Sequence, residues 1–141
     1  LTITPLLAKI GQIIARRVDG GPQPVDNETS LEERIIIVGG GRVGRLVADM
    51  LETHRQPYVI LDSNPDLIDL ARREGYHAVF GDAARGDALS RLGVERAMAV
   101  VLTMDEPVLA QRLVSKLRRE HPELLIVARA RDPDHAGALY R

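Results

Sequence analysis

The strongest constraint on the fold is a short apolar run that leads directly into a cluster of glycines. Residues 35–38 are Ile-Ile-Ile-Val, and the pattern Gly39-x-Gly41-x-x-Gly44 follows without a break. A β-branched run with no polar position is typical of a strand that is buried on both faces of a parallel sheet. The glycines after it predict a tight turn into a helix, with a backbone that a phosphate group can approach.

Each glycine of the pattern has its own expected role. Gly39 allows the tight turn, Gly41 lets the backbone approach a pyrophosphate, and Gly44 lets the helix pack close to the strand. The start of that helix offers free N–H groups and the positive end of a dipole to a bound phosphate. Arg42 and Val43 therefore join the candidate binding residues. The alternative is a glycine-rich turn that binds no ligand.

Beyond residue 34, strand-like and helix-like segments alternate with short connections. The expected strands are 35–38, 58–61, 78–80, 97–102 and 124–128, and the expected helices are about 43–54, 64–74, 84–92 and 106–121, with a fifth helix beginning at 133. This alternation predicts a parallel sheet with helices on both faces. Right-handed crossovers make it doubly wound. The fold class is therefore α/β, a Rossmann-like sheet with the expected strand order 3-2-1-4-5.

A separate segment, residues 1–32, precedes this pattern. Apolar residues fall on one face of a helix between Pro5 and Val18, and a Gly- and Pro-rich stretch, 19–30, follows them. We expect an amphipathic helix and a linker here, and a binding domain over residues 33–141.

Composition removes several classes of function. The net charge of −1 gives no electrostatic argument for nucleic-acid binding. The chain has no cysteine, so thiolate metal sites and a Cys nucleophile are excluded. The four histidines are scattered and have no metal-ligand spacing, so no metal site is expected. No run of 18 apolar residues is present, as a membrane-spanning helix would need.

Asp62 is the second candidate binding residue. It ends the second predicted strand, 18 residues after Gly44, near the spacing expected of the acid that accepts from the ribose hydroxyls of an adenosine. A carboxylate there repels a 2′-phosphate, and Ser63 rather than an Arg follows it, so NAD, ADP or AMP is favoured over NADP. The alternative is that this segment only makes a turn and caps the next helix.

Polar residues also end the third and fourth predicted strands, where an open parallel sheet binds its ligand. Asp82, followed by Ala83, could bond an adenine amine or could cap the helix expected from residue 84. Thr103 and Met104 would lie near the distal half of a dinucleotide, unless the segment only supplies a cap through Asp105.

The fifth predicted strand ends in Arg129-Ala130-Arg131-Asp132. Arginines two positions apart on a strand point to the same face. They could bind an anionic ligand or pair with acids at the surface. With Arg129 added, the candidate binding residues are Gly39, Gly41, Arg42, Val43, Gly44, Asp62, Ser63, Asp82, Ala83, Thr103, Met104 and Arg129.

Taken together, these elements resemble the nucleotide-binding RCK/KTN domain of potassium transport proteins, and most nearly the C-terminal domain of Kef-type monovalent cation/proton antiporters. The residues that carry the resemblance are the run 36–44, Leu61-Asp62, Gly81-Asp82-Ala83 and the run 128–132. Residues 3–7 are similar to the cytosolic exit of that family's last membrane helix. The chain departs from the family at Gly40, where members often carry a side chain, and at Ala110, near a position where many carry Asn.

The resemblance implies a homodimeric domain that binds an adenine nucleotide or NAD(H), and AMP in Kef-type members. It assigns the ribose to Asp62 and the adenine to Asp82 and Ala83. Kef-type members also bind glutathione through an Arg of the Ala-Arg-Ala-Arg-Asp element, which Arg129 and Arg131 match.

By the same resemblance, the domain is regulatory. It would gate a potassium (monovalent cation)/proton antiporter from the cytoplasmic face of the membrane, with residues 1–32 leading from the transport domain of the same chain. The alternatives are a ligand-sensing domain of a potassium channel or uptake system and a fragment of an NAD-dependent dehydrogenase. A dehydrogenase needs a substrate domain and a proton-transfer residue near the nicotinamide, and the sequence offers neither, so we expect no enzyme.

Overall fold

The structure, a computed structural model, describes residues 34–85 and 87–129. Its strands are β1 (Ile35–Val38), β2 (Tyr58–Asp62), β3 (Ala78–Phe80), β4 (Ala99–Leu102) and β5 (Ile126–Ala128), and its α-helices are α1 (Arg42–Thr53), α2 (Pro65–Arg73), α3 (Ala88–Arg91) and α4 (Pro107–Glu120). The predictions for the segment 1–32, for Arg131 and for a fifth helix from residue 133 lie outside the described residues.

All five strands form one parallel sheet in the order β3-β2-β1-β4-β5. This confirms the predicted fold class and strand order. β1 lies at the centre, with Val38 paired to Leu61 of β2 on one side and to Leu102 of β4 on the other. The carboxyl ends of β1, β2 and β4 therefore lie side by side, along what we call the carboxyl edge of the sheet. Doubly wound sheets bind their ligands at this edge.

The two faces of the sheet carry separate cores, because successive side chains of a strand point to opposite sides. Ile35 and Ile37 face α1 and α2, where Val47 and Ile68 pack against them. The other face belongs to α3 and α4; its largest fully buried side chains are Ile36, Leu61, Leu102, Leu113 and Leu117. Coverage of both faces explains why β1 and β4 contain no polar residue.

The predicted helix over 84–92 is wrong in its bounds. The helix α3 begins only at Ala88, and a short 3₁₀ helix, Val94–Arg96, follows it. Gly93 separates the two with a left-handed φ of 77°, a conformation that glycine adopts at low cost. β4 also starts later than predicted, at Ala99 rather than at residue 97. β5 likewise starts at Ile126 rather than at residue 124.

Candidate functional site

The turn that follows β1 requires glycine at its first position. Gly39 has a φ of +120°, which residues with a side chain rarely adopt, and an added Cβ would lie 2.4 Å from Oγ1 of Thr103. Its N–H donates to Leu61 O at 2.9 Å, so the turn is attached to the end of β2. We call residues 39–41 the glycine turn.

The third glycine of the pattern is required by packing. A Cβ on Gly44 would lie 1.9 Å from Gly39 O, so no larger residue fits without moving the turn. Gly41 differs from both, because a Cβ added there would meet nothing within 4 Å. The protein's own packing explains Gly39 and Gly44, and it leaves open space in front of Gly41.

The helix α1 starts at this open space. Gly41 is its N-cap residue and supplies no side-chain cap, and the first turn of the helix carries no acidic residue. Its first N–H groups and the positive end of its dipole therefore keep their capacity to bind an anion. Arg42 is exposed at the first helical position. The side chain of Val43 packs partly against the core, and its backbone is the group that it can offer to an anion.

Asp62 joins the glycine turn to the end of β2. Its Oδ2 accepts from Gly40 N at 2.7 Å, and its Oδ1 accepts from Asn64 N at 2.8 Å. The cap of α2 is Asn64 rather than Asp62, since Oδ1 of Asn64 accepts from Asp66 N at 3.0 Å. An ionised carboxylate has about four acceptor sites. Two backbone donors therefore leave Asp62 able to accept from ribose hydroxyls as well.

A cleft opens at the carboxyl edge of the sheet. Its apolar wall comes from the ends of β1 and β2, from the loops after β3 and β4, and from α4. It consists of Val38, Leu61, Ala83, Met104, Leu109 and Leu113. A flat apolar ring fits such a wall, with a few polar groups to fix its orientation.

The polar part of the cleft is acidic. Asp62, Asp82 and Glu106 contribute carboxylates, Ser63 contributes a hydroxyl, and none of the described residues that line the cleft is Lys, Arg or His. We call the three carboxylates the acidic rim. Donors such as ribose hydroxyls and an exocyclic amine suit this rim, whereas a phosphate group does not. A phosphate would instead be favoured at the start of α1, beside the cleft.

Asp82 lies in a turn rather than at the start of a helix. Its Oδ1 accepts from Ala84 N at 2.9 Å, and Arg85 N donates to Asp82 O at 3.2 Å. Of the two alternatives for Asp82, the structure does not show the cap of a helix at Ala84, because an Asx turn takes its place. Asp82 still lines the cleft, where Ala83 forms part of the wall.

The structure brings about half of the predicted site residues into the cleft itself. These are Gly39, Asp62, Ser63, Asp82, Ala83 and Met104. The residues of the glycine pattern that do not line it form the turn and the start of α1, next to the cleft. Thr103 is buried, with only 5% of its surface exposed, and its hydroxyl faces the protein rather than the cleft.

Arg129 lies at the end of β5 and does not line the cleft. Its N–H donates to Leu102 O at 3.1 Å, and the residue is half-buried. The N-cap of α4 is Glu106 rather than Asp105, and the side chain of Glu106 makes no capping hydrogen bond.

Glu106, Leu109 and Leu113 line the cleft but belong to none of the motifs that the sequence indicates as binding elements. Glu106 is the N-cap of α4 and the two leucines lie in its first half, so only the packing of this helix against the sheet brings them to the cleft. The spacing of Leu109 and Leu113 marks them as one helix face, but the same spacing also suits a plain core contact.

Within the described residues, no group of His, Asp and Glu has the arrangement of a metal site. Across the same residues, no helix combines the length and hydropathy that crossing a bilayer requires.

Comparison with known protein families gives one match that spans most of the chain. The model of the TrkA-N domain matches residues 35–141. Among characterised proteins, the chain is 31% identical over 135 residues to the glutathione-regulated potassium-efflux system protein KefC of Klebsiella pneumoniae. It is 36% identical over 140 residues to the chloroplastic K(+) efflux antiporter 1 of Arabidopsis thaliana. Each match covers 96% of this chain, but only 22% of the KefC protein and 12% of the plant protein.

Solved structures with the same fold include three with related sequences. The TrkA-N domain of the Escherichia coli inner membrane protein ybaL is 29% identical, with a TM-score of 0.69 over 76% of this chain and 79% of that one. The Kef C-terminal domain of Shewanella denitrificans in its AMP-bound form is 37% identical, with a TM-score of 0.63 over 73% and 61%. The GsuK channel bound to NAD is 30% identical, with a TM-score of 0.67 over 85% and 20%.

Proposed function

Because this chain belongs to the TrkA-N domain family, we propose that it is the nucleotide-sensing regulatory domain of a Kef-type potassium (monovalent cation)/proton antiporter. The match to residues 35–141 confirms the resemblance to RCK/KTN domains that the glycine cluster and the later motifs indicate. The observation that carries the proposal is the cleft, where the glycine turn, Asp62 and Asp82 meet at the carboxyl edge of a parallel sheet.

The chemistry of the cleft favours an adenosine group. The apolar wall accepts the faces of a purine, and the acidic rim accepts hydrogen bonds from ribose hydroxyls and from an adenine amine. The phosphate lies, in this proposal, over Gly41 and the start of α1. A dinucleotide would extend further along the glycine turn toward β4.

The ligand we propose is AMP or NAD(H). A related Kef domain has been solved with AMP, and the GsuK channel with NAD and with ADP. NADP(H) is disfavoured, because its 2′-phosphate would lie against the carboxylate of Asp62, which the Gly40 N–H holds in place at 2.7 Å. Two negative charges held close together destabilise binding.

The proposed role is regulatory rather than catalytic. The relatives named above include two potassium-efflux proteins and a channel. The chain spans only 22% of the KefC protein and 12% of the plant antiporter. We therefore propose that the transport domain of a longer chain is its partner, that the domain acts as a homodimer at the cytoplasmic face of a membrane, and that residues 1–32 link the two domains.

A second candidate is a ligand-sensing domain of a potassium channel. The similarity to the GsuK channel favours it, since the TM-scores against GsuK and against the Kef domain are close, 0.67 and 0.63. Measurement of ion flux from the full-length protein in proteoliposomes separates the two. An antiporter moves protons against potassium, whereas a channel carries potassium current alone.

Nucleotide binding itself is tested by thermal unfolding of the chain with AMP, ADP, ATP, NAD, NADH and NADPH. A ligand at 100 times its Kd adds about 2.7 kcal/mol to the free energy of unfolding, a midpoint rise on the order of 10 °C. We expect the rise for AMP or NAD(H), its loss in Asp62→Ala, and its retention in Asp69→Ala, a control that removes an exposed carboxylate from α2. The absence of any rise for every nucleotide in the wild-type chain would refute the proposal.

A further inference from the structure

The hydroxyl of Thr103 lies directly beneath the glycine turn. Its Oγ1 is 3.0 Å from Gly39 O and 3.1 Å from Val38 O, and the side chain is buried. Thr103 directly follows β4, whereas the two carbonyls belong to the end of β1 and the turn after it. The hydroxyl thus connects two strands at the point where the ligand cleft opens.

The two carbonyl groups do not depend on this hydroxyl to the same degree. Val38 O also accepts from the backbone N–H of Thr103 at 3.0 Å. A hydroxyl has only one proton to donate, and a buried carbonyl without a donor costs free energy. The Thr103 hydroxyl therefore stabilises mainly Gly39 O.

Gly39 O also lies close to the helix α1 at Gly44. A Cβ on Gly44 would lie 1.9 Å from this oxygen and 3.2 Å from Oγ1 of Thr103. A Cβ on Gly39 would lie 2.4 Å from the same hydroxyl. Gly39 O is therefore held between the backbone of α1 at Gly44 and the side chain of Thr103, and the three groups fix one another's positions.

We propose that Thr103 is a positioning residue for the nucleotide site: its buried hydroxyl holds Gly39 O and thereby sets the direction of the N–H groups at the start of α1. This inference rests on the proposed nucleotide-binding function. Thr103 does not touch the ligand in this proposal. It acts on the phosphate through the glycine turn, while the adenosine end of the cleft depends on Asp62 and on the apolar wall.

Because the phosphate end and the adenosine end of the site depend on different groups, the effect of a substitution on each can be measured separately. A general loss of stability would weaken binding at both ends. In Thr103→Val the hydroxyl is replaced by a methyl group of similar shape, and in Thr103→Ser the hydroxyl is kept. Thr53→Val is the matched control, because Oγ1 of Thr53 also donates to a carbonyl, Asp49 O at 2.9 Å, but at the exposed end of α1. Calorimetric titration gives the Kd of AMP and of adenosine for each variant.

We expect Thr103→Val to raise the Kd of AMP about tenfold while the Kd of adenosine changes by less than about threefold, since a difference of about 1.4 kcal/mol corresponds to a factor of ten. Thr103→Ser and Thr53→Val should keep the wild-type ratio of the two constants. A Thr103→Val protein in which both constants rise together, or neither changes, would overturn the positioning role.

Amide hydrogen exchange of the ligand-free chain keeps the inference testable if the wild type binds no nucleotide. We expect faster exchange at Gly39 and Gly40 in Thr103→Val than in Thr53→Val, because these amides belong to the turn that the hydroxyl holds. Unchanged exchange at both glycines would overturn the inference. If the wild-type chain binds none of the nucleotides but exchange is faster in Thr103→Val, the proposed function is refuted. The role of Thr103 in holding the glycine turn would then still stand.

Discussion

The backbone N–H of Gly40 donates a 2.7 Å hydrogen bond to Oδ2 of Asp62, across the gap between the ends of β1 and β2. The carboxylate proposed to bind the ribose is thus also a support of the turn proposed to bind the phosphate. Its other oxygen, Oδ1, accepts from Asn64 N at 2.8 Å and orders the start of the next segment. The ribose and the phosphate of a nucleotide would therefore bind to groups that the Asp62 side chain connects.

Asp62→Asn should weaken both the fold and the site. An amide can accept with one oxygen only, so one of the two backbone N–H groups would face an NH₂ group. We expect the free energy of unfolding to fall by about 1 kcal/mol, the lower end of the cost of an unpaired polar group, because Asp62 is only half-buried. Urea unfolding measures this loss.

The same substitution should change the choice between cofactors, because it removes the charge that repels a 2′-phosphate. We expect the Kd of NADH to rise at least tenfold in Asp62→Asn, and the preference for NADH over NADPH to shrink. A wild-type preference that survives in full in the variant would show that another group excludes the 2′-phosphate.

Gly41→Ala separates ligand binding from stability. A Cβ at this position meets nothing within 4 Å, and Gly41 has an extended backbone with φ −76° that alanine tolerates. We expect the free energy of unfolding to fall by only about 0.5 kcal/mol, because alanine is a poorer N-cap residue than glycine. Nucleotide affinity should fall further, because the methyl group occupies the phosphate's approach. Chemical unfolding and nucleotide titration of the same preparation measure the two effects.

Gly44→Ala is expected to behave in the opposite way. Its Cβ would lie 1.9 Å from Gly39 O, so the helix or the turn must move. Overpacking of this kind costs about 1–3 kcal/mol or more, and urea unfolding should record that loss with or without ligand. Equal stability of Gly44→Ala and Gly41→Ala would mean that packing does not distinguish the two glycines.

Arg45 links the glycine turn to the end of α2. Its Nη1 lies 3.0 Å from Oε2 and 3.2 Å from Oε1 of Glu74, with the two side chains 23% and 43% exposed. Because both groups are partly solvated, we expect a coupling free energy of about 0.5–1 kcal/mol. A double-mutant cycle with Arg45→Met and Glu74→Gln measures it. The coupling should shrink in 1 M NaCl, where the Debye length is about 3 Å, and a salt-independent value would argue against an ion pair.

The sequence predicts the fold well where only one local structure is compatible with a residue pattern. The apolar runs of β1 and β2 predict buried strands, and their order follows from right-handed crossovers. Residues 84–98 are predicted poorly, because the Asx turn at Asp82 and the left-handed Gly93 act locally and override helix periodicity.

The residues of the candidate site also fall into a group that the sequence predicts and a group that it does not. Asp62 and the glycines are found from their spacing, which the backbone geometry fixes. The orientation of the Thr103 hydroxyl and the arrival of Leu109 at the cleft depend on how β4 and α4 pack, which no spacing reveals.

Alkaline pH should weaken the fold through Tyr76. Its phenol O–H donates to Oδ1 of Asp49 at 2.6 Å, and this hydrogen bond to a carboxylate, with a smaller effect of burial, raises the pKa of Tyr76 to about 12. The folded state therefore favours the protonated phenol. The stability that this gives is complete below the ordinary tyrosine pKa of about 10 and is lost as the pH rises from there through about 12.

Tyr76→Phe isolates this contribution from that of Tyr58, whose pKa is also raised, by burial and by its hydrogen bond to Glu52. We expect the variant to be less stable at pH 8 by about 0.5–1 kcal/mol, the value of an ordinary net hydrogen bond. It should then lose less stability than the wild type between pH 10 and 12. Urea unfolding at pH 8, 10 and 12 measures both differences. If the two proteins lose the same free energy over the alkaline range, the Tyr76 phenol does not bond Asp49 in solution, and the alkaline loss belongs to Tyr58.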